Sequence, residues 1–236
     1  MSLRRALVLV GLGLLVAGCA GPTHRAYNPI ARQQVQRIGL LTPAVSDHIA
    51  VRMDVHPGLS LGVVGMLVAA TDMSGKSTEF MRAARNEGFV CSHTFLEQLE
   101  AGLNQAGYEV HPITVMRPRR EYAFIEHYPP ADGSVDAYLD VYSDLIGYAA
   151  AGGSTPYRPT VHLNVRMVRA SDHKVLYEDR IAYNAFGDGN GAITLTPIAG
   201  YEFAGFEQLV ADPTRALEGL RLAMRATGEA LARQLQ

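Results

Sequence analysis

The chain has no tryptophan, only two cysteines and no excess of basic residues. Its formal net charge is −2 at pH 7 and its lysines and arginines form no block, which argues against nucleic-acid binding. Its eight histidines show no HxH or HExxH spacing, so a zinc site is not indicated. Beyond residue 19 there is no run of eighteen apolar residues, and no membrane-spanning helix is expected there. We therefore expect a domain without a metal or an organic cofactor.

The first nineteen residues have the order of an export signal. Arg4 and Arg5 precede an apolar run at residues 6–16 that is too short to span a bilayer, and small residues then lead to Cys19. The sequence Val-Ala-Gly-Cys that ends at Cys19 resembles the lipobox of bacterial lipoproteins. This resemblance implies that residues 1–18 are removed and that acyl chains, palmitate among them, are attached to Cys19 and anchor it in a membrane. The residue that follows is Ala20 rather than Asp, which by the same analogy favours the outer membrane and a domain facing the periplasm.

Removal of the signal leaves 236 − 18 = 218 residues, enough for one sizeable core, and changes the net charge from −2 to −4. If Cys19 is acylated, Cys91 is the one remaining cysteine, and no internal disulfide can form. Cys91 and His93 could in principle form a thiol–imidazole pair, but no orienting acid accompanies them. A buried structural cysteine beside a helix is the favoured interpretation.

Residues 70–78, ATDMSGKST, fit a relaxed phosphate-loop pattern. A phosphate loop needs glycines that let backbone N–H groups close on phosphate oxygens, yet Ala70 stands where the strict motif has glycine. Asp72 would also place a carboxylate beside the phosphates. We therefore expect no nucleotide binding, and predict a turn at residues 72–75 with Ser77 or Thr78 capping a helix that follows.

The sequence divides into a signal at 1–18, a lipidated flexible tether at 19–34 and one domain at 35–236. The domain contains an apolar, glycine-rich insert at 57–73 that has no clear periodicity. It could be a buried helix or hairpin, a segment that dips into the membrane, or a surface that packs on a partner. For the last case, the candidate partner-binding residues in the insert are Leu61, Val64, Met66 and Leu67.

Hydrophobic periodicity predicts the elements of the domain. Residues 35–45 and 108–115 are typical of strands, and residues 159–184 of a hairpin that turns at 171–173. Helical spacing starts at Thr94 and ends at the C-cap glycine Gly107, and a long last helix begins with Asp212 as N-cap and Pro213 in the first turn. The fold class is α/β (α+β), with a single mixed or mostly antiparallel sheet flanked by helices and the last helix on one face.

Residues 135–150 alternate between apolar and polar side chains. The apolar side is predicted to include Leu145, and the other side carries Asp136, Tyr138, Asp140, Tyr142 and Asp144. Carboxylates four residues apart on a strand are about 13 Å apart, too far to share an ion. We therefore favour a solvated face whose aspartates pair with Arg166 and Arg180, and which offers Tyr138, Asp140 and Tyr142 for partner recognition.

The order of elements, with the helix-to-strand junction LEAGLNQAGYEV, the hairpin VRMVRASDHKVLYEDR and the long last helix, resembles a group of periplasmic lipoproteins. The group includes the curli-secretion lipoprotein, the outer-membrane activators of peptidoglycan synthases and the amino-terminal domain of the Tol beta-propeller protein. The resemblance covers roughly residues 36–236. It implies a non-enzymatic module that docks on envelope proteins.

The leading functional expectation is an outer-membrane lipoprotein that acts as an envelope accessory or assembly factor by binding one or more envelope proteins, with self-association as a further possibility. The alternative is a periplasmic hydrolase or metal-dependent enzyme that uses the face with Asp136, Asp140 and Asp144. A buried aspartate with a shifted pKa in a cleft would favour the enzyme. An open apolar patch between Leu61 and Ala70 would favour docking.

Overall fold

A computed structural model describes residues 24–56, 62–117, 123–186 and 191–236. Cys19 and Leu61 therefore lie outside the described residues. The described chain is α+β, with a seven-stranded mixed sheet, helices packed on one face and a long C-terminal helix. This confirms the fold class predicted from the sequence.

The strands are β1 (Arg37–Leu41), β2 (Ala50–Val55), β3 (Glu109–Ile113), β4 (Ala137–Gly152), β5 (Arg158–Arg169), β6 (Val175–Tyr183) and β7 (Ile193–Leu195). The helices are α1 (Pro29–Arg32), α2 (Gly62–Asn86), α3 (Cys91–Gln105), α4 (Phe206–Ala211) and α5 (Pro213–Gln234).

The sixteen-residue strand β4 organises the sheet, whose order is β3-β1-β4-β5-β6-β7. One edge of β4 pairs antiparallel with β5 along almost its whole length. Its other edge pairs in parallel with β1 at residues 137–139 and with β2 at residues 147–152, so β1 and β2 lie one after the other along the same edge. The β5–β6 hairpin turns where it was predicted, and His173 adopts a positive φ of 55° in that turn.

A register shift between Ser143 and Leu145 changes which side chains of β4 face the helices. Before the shift, the odd-numbered residues 137, 139 and 141 belong to the main core; after it, Ile146 and Tyr148 do. A bulge inserts one extra residue, and one residue reverses the alternation of a strand. The prediction that Leu145 shares the core face was therefore wrong, because it assumed an unbroken period of two.

The main core lies between the sheet and helices α2, α3 and α5. Tyr148 is fully buried there, packs edge-on against Phe80 and Phe203, and donates a hydrogen bond of 3.0 Å to the carbonyl of Ala216. α5 begins as predicted, since the Asp212 carboxylate accepts a hydrogen bond from a first-turn N–H and Pro213 occupies the first turn. α3 also covers the predicted helix, although it begins three residues before Thr94.

Helix α2 runs straight through the phosphate-loop motif. Its 25 residues, about 37 Å of helix, use the backbone N–H groups of residues 70–78 in helical hydrogen bonds, so no loop exists there to surround a phosphate. The predicted turn at 72–75 and the cap at Ser77 or Thr78 were wrong. Lys76 instead pairs with Asp72 one turn earlier, at 2.7 Å. The Ser77 hydroxyl accepts a hydrogen bond of 2.9 Å from the N–H of Val51 and so covers the open edge of β2.

Residues 24–34 were assigned to the flexible tether at 19–34, but in the structure they contact the domain. The backbone of Arg25 forms a two-way bridge with Glu178 on β6, and His24 lies 2.8 Å from Asp179. α1 follows, and its residue Ala31 is buried in the main core.

Gly147 marks a point of very close approach between β4 and β2. Its φ is 157°, and a Cβ atom placed there would lie 1.9 Å from the carbonyl oxygen of Ala50. We predict that Gly147→Ala lowers the free energy of unfolding by about 3 kcal/mol or more, because β2 cannot keep its register. The measurement is a urea unfolding curve.

Gly75→Ala is the matched control for this substitution. Gly75 lies within α2, and a Cβ atom there would meet nothing within 4 Å. Since alanine favours helix more than glycine does, this variant is expected to gain roughly 0.5–1 kcal/mol. A loss of stability at Gly75 would show that α2 is not continuous through the motif.

Candidate functional site

The first turns of α2 expose a set of large apolar side chains, which we call the apolar start of α2. Its members and their exposed fractions are Val63 (78%), Val64 (75%), Met66 (49%), Leu67 (69%) and Val68 (58%). Half of the exposed large apolar side chains in the described chain lie in this one segment, and the others are scattered singly. Single exposed apolar residues are ordinary, but a contiguous group is typical of an interaction surface.

The exposure follows from the positions of small residues in the helix. The buried positions in this half of α2 are Gly65 and Ala69, one turn apart. These two small residues allow the helix to lie against the domain while every larger neighbour points away from it. The second half of α2 is different, because Phe80 and Ala84 enter the main core. α2 is therefore anchored at its end and exposes its apolar start.

The surface next to the apolar start of α2 is polar and made of small side chains. Thr71, Ser74, Gly75 and Thr78 share an open surface of the helix, which Glu79 and Arg82 border. Small side chains at helical spacing allow another backbone to approach closely. Residues 62–75 contain no Lys, Arg, Phe, Tyr or Trp, the residues that usually border a helix lying in a membrane interface.

Among the candidate residues predicted in the insert, Val64, Met66 and Leu67 are thus exposed together, and Leu61 lies outside the described chain. Val63 and Val68 belong to the same surface but were not singled out from the sequence. The continuous run VVGMLV gave no period that could separate inward from outward positions.

The second predicted surface, on β4, is covered by the connection between β3 and β4. Tyr138 is 2% exposed and belongs to a small apolar cluster that this connection builds with Ile125 and Val168. Tyr142 is half-buried, with the Phe124 ring 4.9 Å away. The expectation of an open recognition face is therefore not met for Tyr138 or for Asp140, which is 0% exposed.

Asp140 holds the β3–β4 connection onto the sheet. Its carboxylate accepts hydrogen bonds from Arg117 at 2.6 Å, from the N–H of Ile125 at 2.8 Å and from the Tyr128 hydroxyl at 3.3 Å. The Arg117 guanidinium also donates to the carbonyl of Thr42 at 2.6 Å. Burial, with the Asp140 charge as a second cause, raises the pKa of Tyr128 to about 12, so this phenol remains a donor at neutral pH.

The remaining aspartates of β4 have separate partners. Asp136 binds Arg37 at 2.7 Å and also accepts two backbone N–H groups. Burial alone would raise the pKa of Asp136, but these hydrogen bonds outweigh it and hold the pKa below its usual range. The predicted pairing of an aspartate with Arg180 is confirmed, and the aspartate is Asp144, at 3.2 Å.

The predicted pairing of an aspartate with Arg166 was wrong. Arg166 binds Glu178 on the neighbouring strand at 2.7 Å and stacks on the Phe124 ring, with 4.1 Å between the guanidinium carbon and the ring centroid. In the described part of the chain, no group of three His, Cys, Asp or Glu side chains is placed to hold a metal ion. The geometry therefore does not bring Asp136, Asp140 and Asp144 together as an enzyme site would require.

Cys91 is buried at the start of α3, as predicted. Burial, reinforced by the charge of Asp47, raises the pKa of its thiol to about 12. His93 lies on the surface and approaches Glu97 at 3.6 Å. The thiol is therefore protonated at neutral pH and is not a nucleophile.

No protein-family model and no curated protein matches this sequence. Similar solved structures include a DUF330-family protein from Xanthomonas campestris, at 12% identity and a TM-score of 0.43, covering 89% of this chain and 90% of that one. PelC from Paraburkholderia phytofirmans, solved as a dodecamer, is 11% identical over 92% and 96% of the two chains, with a TM-score of 0.39. Lipoprotein GNA1162 from Neisseria meningitidis is 16% identical over 78% and 96%, with a TM-score of 0.27. Identities and scores this low assign neither a family nor a function.

The buried Asp140 is expected to dominate the stability of the face covered by the β3–β4 connection. Asp140→Ala leaves the Arg117 guanidinium, 12% exposed, without its partner, and should lower the free energy of unfolding by about 3–5 kcal/mol. Asp144→Ala removes a more exposed pair on the same strand and should cost less than about 1 kcal/mol. Equal losses in urea unfolding would contradict the assignment of Asp140 as the residue that holds the connection in place.

Proposed function

We propose that this protein is an outer-membrane lipoprotein that acts as a non-enzymatic accessory factor of the envelope and docks on a partner protein through the apolar start of α2. The observation that carries the proposal is the group of exposed apolar side chains between Val63 and Val68. Burying such a group releases about 25 cal/mol per Å² of apolar surface. In the isolated domain these side chains remain exposed to water, so that free energy becomes available only when a partner covers them.

The partner surface that fits α2 best is an apolar protein helix. The small side chains of Thr71, Ser74 and Gly75 continue the apolar start along α2 and leave room for a second backbone. Recognition through an apolar helix face is a common mode of protein binding. A lipid surface fits less well, because residues 62–75 lack basic and aromatic side chains.

Attachment to the membrane is assigned to the lipid on Cys19 in this proposal. Of the helices in the described part of the chain, none combines the length and the hydrophobicity that a membrane crossing requires. The lipobox-like sequence supports the anchor, and Ala20 after the cysteine supports the outer membrane. Acylation confines the domain to a layer near its partners and so raises their effective concentration.

The rival function, a hydrolase or metal-dependent enzyme on β4, receives little support from the geometry. Each of its three aspartates is bound by its own arginine. An active-site carboxylate needs a free oxygen directed at a substrate, within hydrogen-bond reach. Asp140 in particular is enclosed by the protein and reaches no cleft.

Leu67→Glu tests the docking surface. Leu67 is exposed and outside the core, so the free energy of unfolding of the variant should lie within about 0.5 kcal/mol of that of the unchanged protein. Photo-crosslinking in cells from position 64 should capture a defined envelope protein from the unchanged chain and lose that product in the variant. Met116→Glu is the matched control, because Met116 is 98% exposed but distant in sequence from α2. It should leave the crosslink intact.

The identity of the crosslinked product decides between the possible occupants. A heterologous protein lost on Leu67→Glu supports the proposal. Capture of lipid alone, or of a second copy of this chain alone, contradicts it. A product that survives Leu67→Glu and Met116→Glu equally also contradicts it.

Cys19→Ser tests the anchor independently. Cells fed a palmitate analogue should label the unchanged protein and Cys91→Ala, but not Cys19→Ser, because Cys19 is the proposed acyl acceptor and Cys91 is buried with a protonated thiol. Label that remains on Cys19→Ser, or label lost on Cys91→Ala, would refute the assignment.

A further inference from the structure

A cavity of about 230 Å³ opens on the face of the sheet opposite the helices. Arg52 on β2, His162 on β5 and Arg180 on β6 line it, together with Asp54 and Phe186. The cavity therefore receives side chains from three different strands. It is separate from the apolar start of α2, whose helix packs on the other face.

The side chains that line this cavity carry hydrogen-bond donors with no acceptor. The Nε atoms of Arg52 and Arg180 are buried and unpaired within the described structure, and the His162 ring lies beside them near the backbone of Asn184. Arg52 forms no ion pair with any described residue. A buried N–H without a partner is uncommon and costs free energy, so the two unpaired arginine Nε–H groups in one cavity indicate a missing acceptor.

His162 has a defined role in this arrangement. It is 6% exposed, and its Nδ1 atom lies 3.4 Å from the Nη2 atom of Arg180. Because an arginine can only donate, Nδ1 is the acceptor of that contact and the proton of a neutral imidazole is on Nε2. Burial lowers the pKa of His162, with Arg180 and Arg52 acting in the same direction and Asp144 and the Asn184 backbone opposing them. At neutral pH His162 is thus an uncharged donor beside two cations.

We propose that Arg52, His162 and Arg180 form a binding site for a phosphate group. Donors that converge from three strands surround a tetrahedral oxyanion better than a planar carboxylate, and guanidinium groups pair with phosphate oxygens in a bidentate fashion. The cavity is large enough for a phosphate and part of the molecule attached to it. This inference does not depend on the proposed docking function.

Two carboxylates limit the affinity of the site. Asp144 already binds one nitrogen of Arg180 at 3.2 Å, and Asp54 lines the cavity from β2. Asp54 is exposed to solvent, so its repulsion of an anion is partly screened. Arg52, with no carboxylate partner, provides the uncompensated positive charge.

The test is calorimetric titration of the full-length protein in detergent with inorganic phosphate, at pH 7 and low ionic strength. Arg52→Gln should weaken phosphate binding at least about tenfold, because a charge-assisted pair is lost. Asp54→Asn should strengthen binding about threefold by removing a repulsive charge. The control is Arg82→Gln, an exposed arginine on α2 that should leave the affinity unchanged. Because Arg52 has no ion-pair partner, the thermal midpoint of Arg52→Gln should match that of the unchanged protein.

Acetate and lipid vesicles identify the ligand class and its source. Acetate should bind more weakly than phosphate. If Arg52→Gln reduces binding to phosphatidylglycerol vesicles but not to phosphatidylcholine vesicles, the phosphate belongs to a lipid headgroup. If the substitution reduces binding of free phosphate only, the ligand is soluble. Equal phosphate affinity in the unchanged protein and Arg52→Gln, or acetate binding as tight as phosphate, would overturn the proposal.

Discussion

The structure depends on β4 and on the break in its alternation. A straight sixteen-residue strand would present one row of side chains to the helices along its whole length. The shift between Ser143 and Leu145 lets the first half direct Asp140 toward the β3–β4 connection and lets the second half direct Tyr148 into the helical core. Gly147 lies just beyond the shift, where β2 begins its parallel pairing with β4 and the two backbones are very close. The strand therefore pairs with both β1 and β2 along one edge. It also packs against the helices on one face of the sheet and against the β3–β4 connection on the other.

The two faces of the sheet are stabilised by different interactions. On the helical face, apolar packing dominates, and glycines allow the elements to approach closely. A Cβ on Gly102 of α3 would lie 3.1 Å from the backbone of Gly228 on α5, and a Cβ on Gly219 would collide with the Tyr148 hydroxyl. On the opposite face, a buried Asp140–Arg117 pair organises the contact. A buried pair of this kind is weak as a source of stability but defines which conformation the connection adopts, because removing either partner leaves a charge without compensation.

Elements with a regular hydrophobic period and local turn or cap signals were predictable from the sequence. The hairpin around His173 and the last helix after Asp212 have local signals, namely a turn sequence and a cap, and the structure confirms both. The features that failed depend on distant partners. Residues 72–75 look like a turn locally, yet the helix continues because Phe80 and Ala84 pack in the core and Lys76 pairs with Asp72. Tertiary packing overrides local preference in such cases.

The candidate sites show the same division. The sequence located the apolar insert, since a long apolar run without a period is conspicuous, but it left open whether the insert is buried or exposed. It could not tell that Gly65 and Ala69 would be the buried residues in the first turns of α2. It also assigned Asp140 to solvent, because Arg117 lies in a proline- and arginine-containing stretch that has no strand or helix signal. An ion pair between residues 23 positions apart leaves no trace in local spacing.

The arrangement of α2 explains why a surface so apolar can exist on a stable domain. The part of the helix that contributes to folding is its second half, where Phe80 meets Tyr148, and the Ser77 hydroxyl covers the edge of β2. In the first two turns the buried residues are Gly65 and Ala69, so the large side chains there are free of packing constraints. Substitutions at Val64 or Leu67 are therefore expected to leave the core intact. In the docking that we propose, the fold would hold the start of α2 rigid, which lowers the conformational entropy lost when a partner binds.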